Sequence, residues 1–247
     1  MFRFNADKYD FWPIYEAIKR FYPIGIRGIN LDGDNQMFLS YPGLKELGAI
    51  VVDNIHNETH FTERWSNFTQ EIQDETGKEV VETTYGQAPS FSSFVLLEKT
   101  SLGNLTRTKE IHFFVSLVGP FYTVIGRDAS AVLLDGRYQY GGVNYLVVSP
   151  ENEFADVFKL LCDKIEDRFK DYRFVPVNIC VQTITGLSVR YSDEKLEAIF
   201  HALFNNSLNL TAHSRLGDDY YKSADWIKEG REGLDGGWVI MPPLGSN

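Results

Sequence analysis

The chain has 247 residues, a formal net charge of -10, 43% hydrophobic residues and 23% charged residues. That length can bury a substantial core, and 18 Phe, 13 Tyr and 4 Trp exclude disorder along the whole chain. Nucleic-acid binders neutralise phosphates with a basic surface, whereas the densest basic stretch here, Lys99 to Lys109, is flanked by Glu98 and Glu110, so no nucleic-acid partner is expected.

Residues 7–22 read as a first helix, with Phe11, Ile14, Tyr15, Ile18 and Tyr22 on one face. Pro13 fits only in a first turn, which sets the start near Phe11 or Trp12, and Pro23 and Gly25 end it. Residues 26–41 read as extended, with a turn at Asp32-Gly33. From Pro42 the pattern is helical: Leu44, Leu47 and Val51 share a face, as do Phe61, Trp65, Phe68 and Ile72. This is one long helix or two broken near Asn57, and Gly77 stops it.

The middle is β-rich. Residues 79–85, 91–100, 106–118 and 121–127 carry β-branched and aromatic residues, and Gly119-Pro120 reads as a turn. Asp135-Gly136, between Val132-Leu133-Leu134 and Tyr138-Gln139-Tyr140, is the strongest hairpin signal. Gly141-Gly142 then leads into a further strand, Val143–Val148. Ser149-Pro150-Glu151 starts a helix over about 150–171, whose stripe is Phe154, Val157, Phe158, Leu161, Ile165 and Phe169. A strand pair follows across 174–191, turning near Thr185-Gly186. Ser192-Asp193-Glu194 caps a last helix over about 192–205, burying Leu196, Ile199, Phe200 and Leu203. In the tail, with its glycines 217, 230, 233, 236 and 237, Trp226 and Trp238 point to docking on the body. The expected fold is α+β: N-terminal helices, a central mostly antiparallel sheet, and two further helices packed on it. No stretch reads as a linker, which favours one domain over 1–247, with a division into 1–100 and 101–247 as the alternative.

The usual catalytic motifs are missing, including the nucleophile elbow, the P-loop and the zinc-protease helix. His56 and His60, four apart beside Glu58 and Glu63, have metal-like spacing, but a zinc site needs a third or fourth rigid ligand. Asp32-Gly33-Asp34-Asn35 opens like a calcium loop, then places Met37 and Gly43 where Gly and Glu are required. Cys162 and Cys180 sit in apolar stretches and read as buried hydrophobes, and His112, His201 and His213 are scattered. Pairs such as Asp74-Glu75 and Asp218-Asp219 follow from the abundance of acids. No catalytic residue, metal site or cofactor is therefore expected. No run approaches the ~20 apolar residues of a membrane helix, and Asp7 and Asp10 interrupt the start where a secretion signal needs an apolar run. A cytoplasmic protein without a membrane partner is expected.

Charge is more informative. Between Asp53 and Glu82 stand eight acids (Asp53, Glu58, Glu63, Glu71, Asp74, Glu75, Glu79 and Glu82), opposed by Arg64 and Lys78. On a helix that turns Trp65 and Phe68 inward they form a negative face, which is a solvated surface or a docking surface for a basic protein. Glu58, Glu63, Glu71, Asp74 and Glu75 are the expected partner-binding residues.

The run Ile111-His112-Phe113-Phe114-Val115-Ser116-Leu117-Val118-Gly119-Pro120-Phe121-Tyr122-Thr123 resembles a strand-turn-strand of some bacterial toxin-immunity proteins, and Ile199-Phe200-His201-Ala202-Leu203-Phe204-Asn205 is similar to a segment of the same proteins. The resemblance spans at most 111–205 and implies a cytoplasmic, often acidic, non-catalytic inhibitor that binds a cognate toxin. It carries over no site residues, because both segments read as core. The expectation is a protein-binding module, concretely of immunity type. The alternatives are an enzyme of hydrolase-like character and a structural component of an assembly.

Overall fold

The computed structural model describes residues 2–4, 8–30, 33–135, 137–192, 196–211, 215–217, 220–231 and 239–241. Of the features read from sequence, Asp7, Asp32, Gly136, Asp193, Glu194, His213, Asp218, Asp219, Gly233, Gly236, Gly237 and Trp238 lie outside the described residues.

After β1 (Phe2–Phe4), α1 (Trp12–Phe21) starts with Pro13 in its first turn and buries Ile14, Tyr15, Ile18 and Phe21. The extended reading of 26–41 holds only in part. The short strands β2 (Ile29–Asn30) and β3 (Gly33–Asp34) pair, and a helical turn, α2 (Gln36–Leu39), then replaces the expected extended chain. The cause is local: the Asn35 side chain accepts the Met37 N–H at 3.0 Å and caps that turn.

The helical stretch from Pro42 comes in two runs. α3 (Pro42–Val51) widens into a π-turn at Val52–His56. Asn57 then leaves helical geometry, and its side chain accepts the His60 N–H to cap the next run. That run comprises α4 (Glu58–Phe61), a second π-turn at Thr62–Ser66, and α5 (Asn67–Thr76). It ends at Gly77, whose φ of 61° suits a residue without Cβ.

The sheet is a meander of β4 (Val80–Glu82), β5 (Ser90–Leu102), β6 (Leu105–Ser116), β7 (Phe121–Leu134) and β8 (Arg137–Val147), all antiparallel. Residues 121–127 and 132–134 belong to one strand. β8 runs straight through Gly141 and Gly142, so the expected separate strand at 143–148 does not exist; its residues are the continuation of the hairpin. The hairpin β5–β6 crosses residue 100, so the sheet draws strands from both sides of that position.

Helix α6 (Ala155–Arg168) begins later than the 150–171 reading, because Ser149 Oγ donates to Glu151 Oε1 and a 3-10 turn at Asn152–Phe154 intervenes. The expected strand pair over 174–191 is replaced by β9 (Arg173–Phe174), the short helix α7 (Val177–Cys180) and a reversal at Gly186 with φ 87°. The last helix, α8 (Ile199–Leu203), is five residues long, against the expected 192–205. Its upstream backbone is committed elsewhere: Ile184 N–H donates to Glu197 O at 2.8 Å, and Ile199 N–H to Gln182 O at 2.9 Å. Leu196, Ile199, Phe200 and Leu203 are nonetheless buried. β10 (Arg215–Leu216) pairs parallel with β8, β9 pairs parallel with β7, and β11 (Val239–Met241) pairs with β1.

The result is an α+β fold on a seven-stranded sheet of order β10-β8-β7-β6-β5-β4, with β9 beside the start of β7. One face packs on the second π-turn, α5 and α6 through Trp65, Phe68, Ile72, Phe158, Leu161 and Ile165. The other packs on α1, α3 and the chain from 175 to 210. Trp226 is fully buried, donates to Phe174 O at 2.7 Å and carries the Arg173 guanidinium 3.6 Å from its ring centre. Among the described residues no helix is long and apolar enough to cross a membrane.

Trp65 joins helix to sheet. Its ring stacks on Phe91 at 5.2 Å, meets Phe68 and Phe113 at 5.6 and 5.4 Å, and its N–H donates to Ser93 Oγ at 3.1 Å. Trp65→Ala is expected to lower the unfolding free energy by about 3–5 kcal/mol. The check is the urea midpoint at unchanged slope; a loss below about 1 kcal/mol would show that this ring does not hold the two layers together.

Candidate docking surface

α5 and α6 cover one face of the sheet, so their apolar sides are spent and their polar sides face water. All five acids expected to bind a partner are exposed: Glu58, Glu63, Glu71, Asp74 and Glu75. The structure gathers only some of them. Glu58 opens α4 and Glu63 lies in the second π-turn, where its backbone oxygen accepts from Arg168. Asp74 accepts from Gln70 one turn back. Glu75 turns toward α6 and pairs with Lys164, which Glu71 and Asp167 also approach; these charges, the Glu75 contact above all, hold Lys164 above its ordinary range.

α6 adds three exposed acids that the sequence reading did not include: Asp156, Asp163 and Asp167. With Glu75, Lys159 and Lys164 they border a shallow surface hollow between the two helices. Their spacings of seven and four residues, opposite the Phe158–Leu161–Ile165 stripe, were the available signal.

Beyond the helices, among the described residues, the sheet continues past its covering layers. The register aligns Leu102, Leu105, Val132 and Tyr140 directly across β5, β6, β7 and β8. Paired residues point to the same side, and this side is the one that carries Phe113, Ile111 and the α5–α6 layer. Leu102 is 80% exposed and Tyr140 74% exposed. An apolar row thus lies as a shelf beside the acidic helices.

Between shelf and helices runs a polar network. Arg107 binds Asp128 through Nε at 3.0 Å and Nη2 at 2.6 Å, and Asn144, the extra residue of a bulge opposite Asp128, also donates to that carboxylate. Lys109 bridges Glu98 at 2.8 Å and Glu153 at 2.7 Å, which ties the shelf to the start of α6. The Asp128 side chain is wholly buried. Burial alone would raise its carboxyl, but hydrogen bonds from Arg107, Asn144 and Tyr145 outweigh that and hold it below its ordinary value.

The residue types that carry nucleophilic or metal chemistry are dispersed. Cys162 lies in the α5–α6 layer and Cys180 in the opposite one; burial pushes both thiols up, Cys180 to about 12. His112 is buried on the opposite face and meets Glu110 Oε2 at 2.9 Å, while Arg127 reaches the same oxygen at 3.2 Å. Burial, against the pull of Glu110, lowers the His112 pKa, while His112 and Arg127 hold the Glu110 carboxyl below its ordinary value against its own burial. His56 and His60 do not share an ion: the chain leaves the helix at Asn57, His56 donates Nε2–H to Gly86 O at 2.6 Å, and His60 Nδ1 lies 2.9 Å from Asp53 Oδ1.

Because folding lowers the Asp128 pKa, its ionised form contributes stability that is full above the unfolded value near 4 and is lost as pH falls further. Asp128→Asn is expected to cost about 2 kcal/mol at pH 7, since Arg107 keeps a poorer partner. The gap between wild type and variant should then shrink from pH 4 to pH 2.5 in guanidinium midpoints. A gap that stays constant with pH would contradict this account. No family model, curated protein or solved structure matches the chain.

Proposed function

We propose that this chain is a protein-binding module, working as an immunity-type inhibitor that occupies a basic protein partner. The observation that carries the reading is the register that sets exposed Leu102, Leu105 and Tyr140 and half-buried Val132 in one row on the same side as the acids of α5 and α6. The two parts of that surface do different physical work. Exposed acids speed encounter with a basic partner and favour it over others, while an apolar row supplies area to remove from water after contact. Glu71, Asp74, Glu75, Asp156, Asp163 and Asp167 stand against Lys159, Lys164 and Arg168 on the two helices. The immunity-type assignment rests on the resemblance of 111–123 and 199–205, both chiefly buried, so contact residues must be sought on this other surface. Free, buried Cys162 and Cys180 suit a cytoplasmic setting.

Tagged wild-type protein should capture a basic protein from its native host, identified by mass spectrometry. With that protein purified, Glu71→Lys, Asp163→Lys and Asp167→Lys together should slow association by about tenfold at low salt and less at high salt. Tyr140→Ala should speed dissociation, by about tenfold if the ring is a hot spot. Rates unchanged in both variants would remove this surface from the proposal. A second reading, a component of an assembly, draws on the same shelf with another copy of the chain as its occupant. Light scattering decides it: a dimer that Tyr140→Lys converts to monomer favours assembly, and a wild-type monomer at micromolar concentration counts against it.

A further inference from the structure

On the side of the sheet away from the shelf, α3, the loop after β4 and the segment at Arg190–Tyr191 enclose a hollow of about 220 Å³. Its lining is chiefly apolar, with Gln87 among the polar lining residues. Leu44, Leu47 and Val51 supply one wall, and the rings of Tyr22 and Tyr191 contribute further lining. Both phenols are already committed to backbone: Tyr22 OH donates to Ala202 O at 2.9 Å and Tyr191 OH to His201 O at 2.7 Å. Neither hydroxyl has a hydrogen left to donate to a carboxylate, so toward an anion the rings act as hydrophobic surface.

The rim has the opposite character. Arg190 is exposed, lines the hollow and forms no hydrogen bond or ion pair with any described residue. Its Nη1 lies so near α3 that a Cβ on Gly48 would come within 3.2 Å of it. Across the hollow, His56 is held by its Nε2–H bond to Gly86 O, and a Cβ on Gly86 would come within 3.1 Å of the imidazole Cε1. Glycines at 48 and 86 therefore let a guanidinium and an imidazole close on an apolar space, in a protein whose net charge is -10.

We propose that this hollow binds a small monocarboxylic acid, with its apolar body against Leu44, Leu47, Val51 and the two tyrosine rings and its carboxylate on Arg190. The geometry selects each part of that description. A guanidinium donates two parallel hydrogen bonds to a carboxylate. One arginine suits one negative charge better than the two of a phosphomonoester. The volume lies below the range for drug-sized ligands, so it admits bodies between benzoate and octanoate in size. The site is separate from the docking surface and does not depend on that reading.

The test uses the full-length protein, nitrogen-15 labelled, titrated with benzoate, phenylacetate and octanoate, and with benzyl alcohol and octanol as neutral counterparts. Saturable amide shifts are expected at Gly48, Val51, Gly86 and Tyr191, with dissociation constants on the order of 0.1–1 mM for at least one acid. The matching alcohol should bind at least about tenfold more weakly. Arg190→Gln should lose at least about tenfold in affinity for the acid, and Arg190→Lys less, because lysine keeps the charge but not the fork. Unchanged thermal midpoints show that the variants fold. The proposal is overturned if no acid gives saturable shifts at these residues. It is equally overturned if acid and alcohol bind alike, or if a correctly folded Arg190→Gln binds the acid as wild type does.

Discussion

β6 from Glu110 to Ser116 and β7 from Phe121 to Gly126 are buried on both faces, and this double burial constrains everything around them. A strand sealed on both sides needs a layer on each, and α5 with α6 supplies one while α1, α3 and the chain from 175 to 210 supply the other. Trp65 and Phe113 lock the first layer, and Phe114, against Phe200 and Phe204, locks the second. The strands are longer than the layers. Their hairpins close at Gly103 and Asp135, beyond the last covering residue, so the backbone stays paired while the side chains emerge into water. The apolar shelf follows from that mismatch in length.

The same constraint sorts the charges. Three carboxylates drawn into or beside the sheet have partners: Asp128 has Arg107 and Asn144, Glu110 has Arg127 and His112, and Glu166 receives both the Tyr122 hydroxyl and Lys222. Leaving any of them unanswered in low dielectric would cost several kcal/mol. The outer acids of α5 and α6 face water and carry no such obligation; Lys164 answers Glu75, while Asp156 and Asp163 are exposed. Internal charge here is structural, and part of the acidic surplus lies on the α5–α6 surface.

Much of this was legible in the residues. The stripe from Phe154 to Phe169 marked α6, Gly77 marked the end of α5, and the alternation around Asp135 marked the β7–β8 hairpin. What failed did so where side-chain pattern and backbone demand diverge. Residues 174–191 carry alternating apolar positions, yet tertiary burial absorbs them as a short helix and irregular chain. The 192–205 pattern suits a helix, but the Gln182 and Ile184 pairings claim the backbone up to Ile199. Half of the acidic surface was visible because Glu71 and Glu75 are close in sequence to the other acids. Asp156, Asp163 and Asp167 were not, because only packing of α6 beside α5 joins them to that run. The shelf was hidden for the same reason: Leu102 and Tyr140 join one row only through the register of Leu105 and Val132 between them, and sequence does not say where a covering layer stops.

The two proposed sites divide the protein by sign as well as by face. The shelf and acids lie on the α5–α6 side, and the Arg190 hollow lies among residues of the opposite core. A macromolecule seated on the shelf would leave the hollow open, so both can be filled together. A bound acid would influence docking only if it favoured one of two arrangements of the intervening strands. Those strands hold Phe91, Phe113, Phe114 and Val115 in a close-packed interior, whose neighbours are fixed from both faces. Such a wall transmits little, so burying β6 and β7 so completely leaves the two proposed sites without a structural route between them.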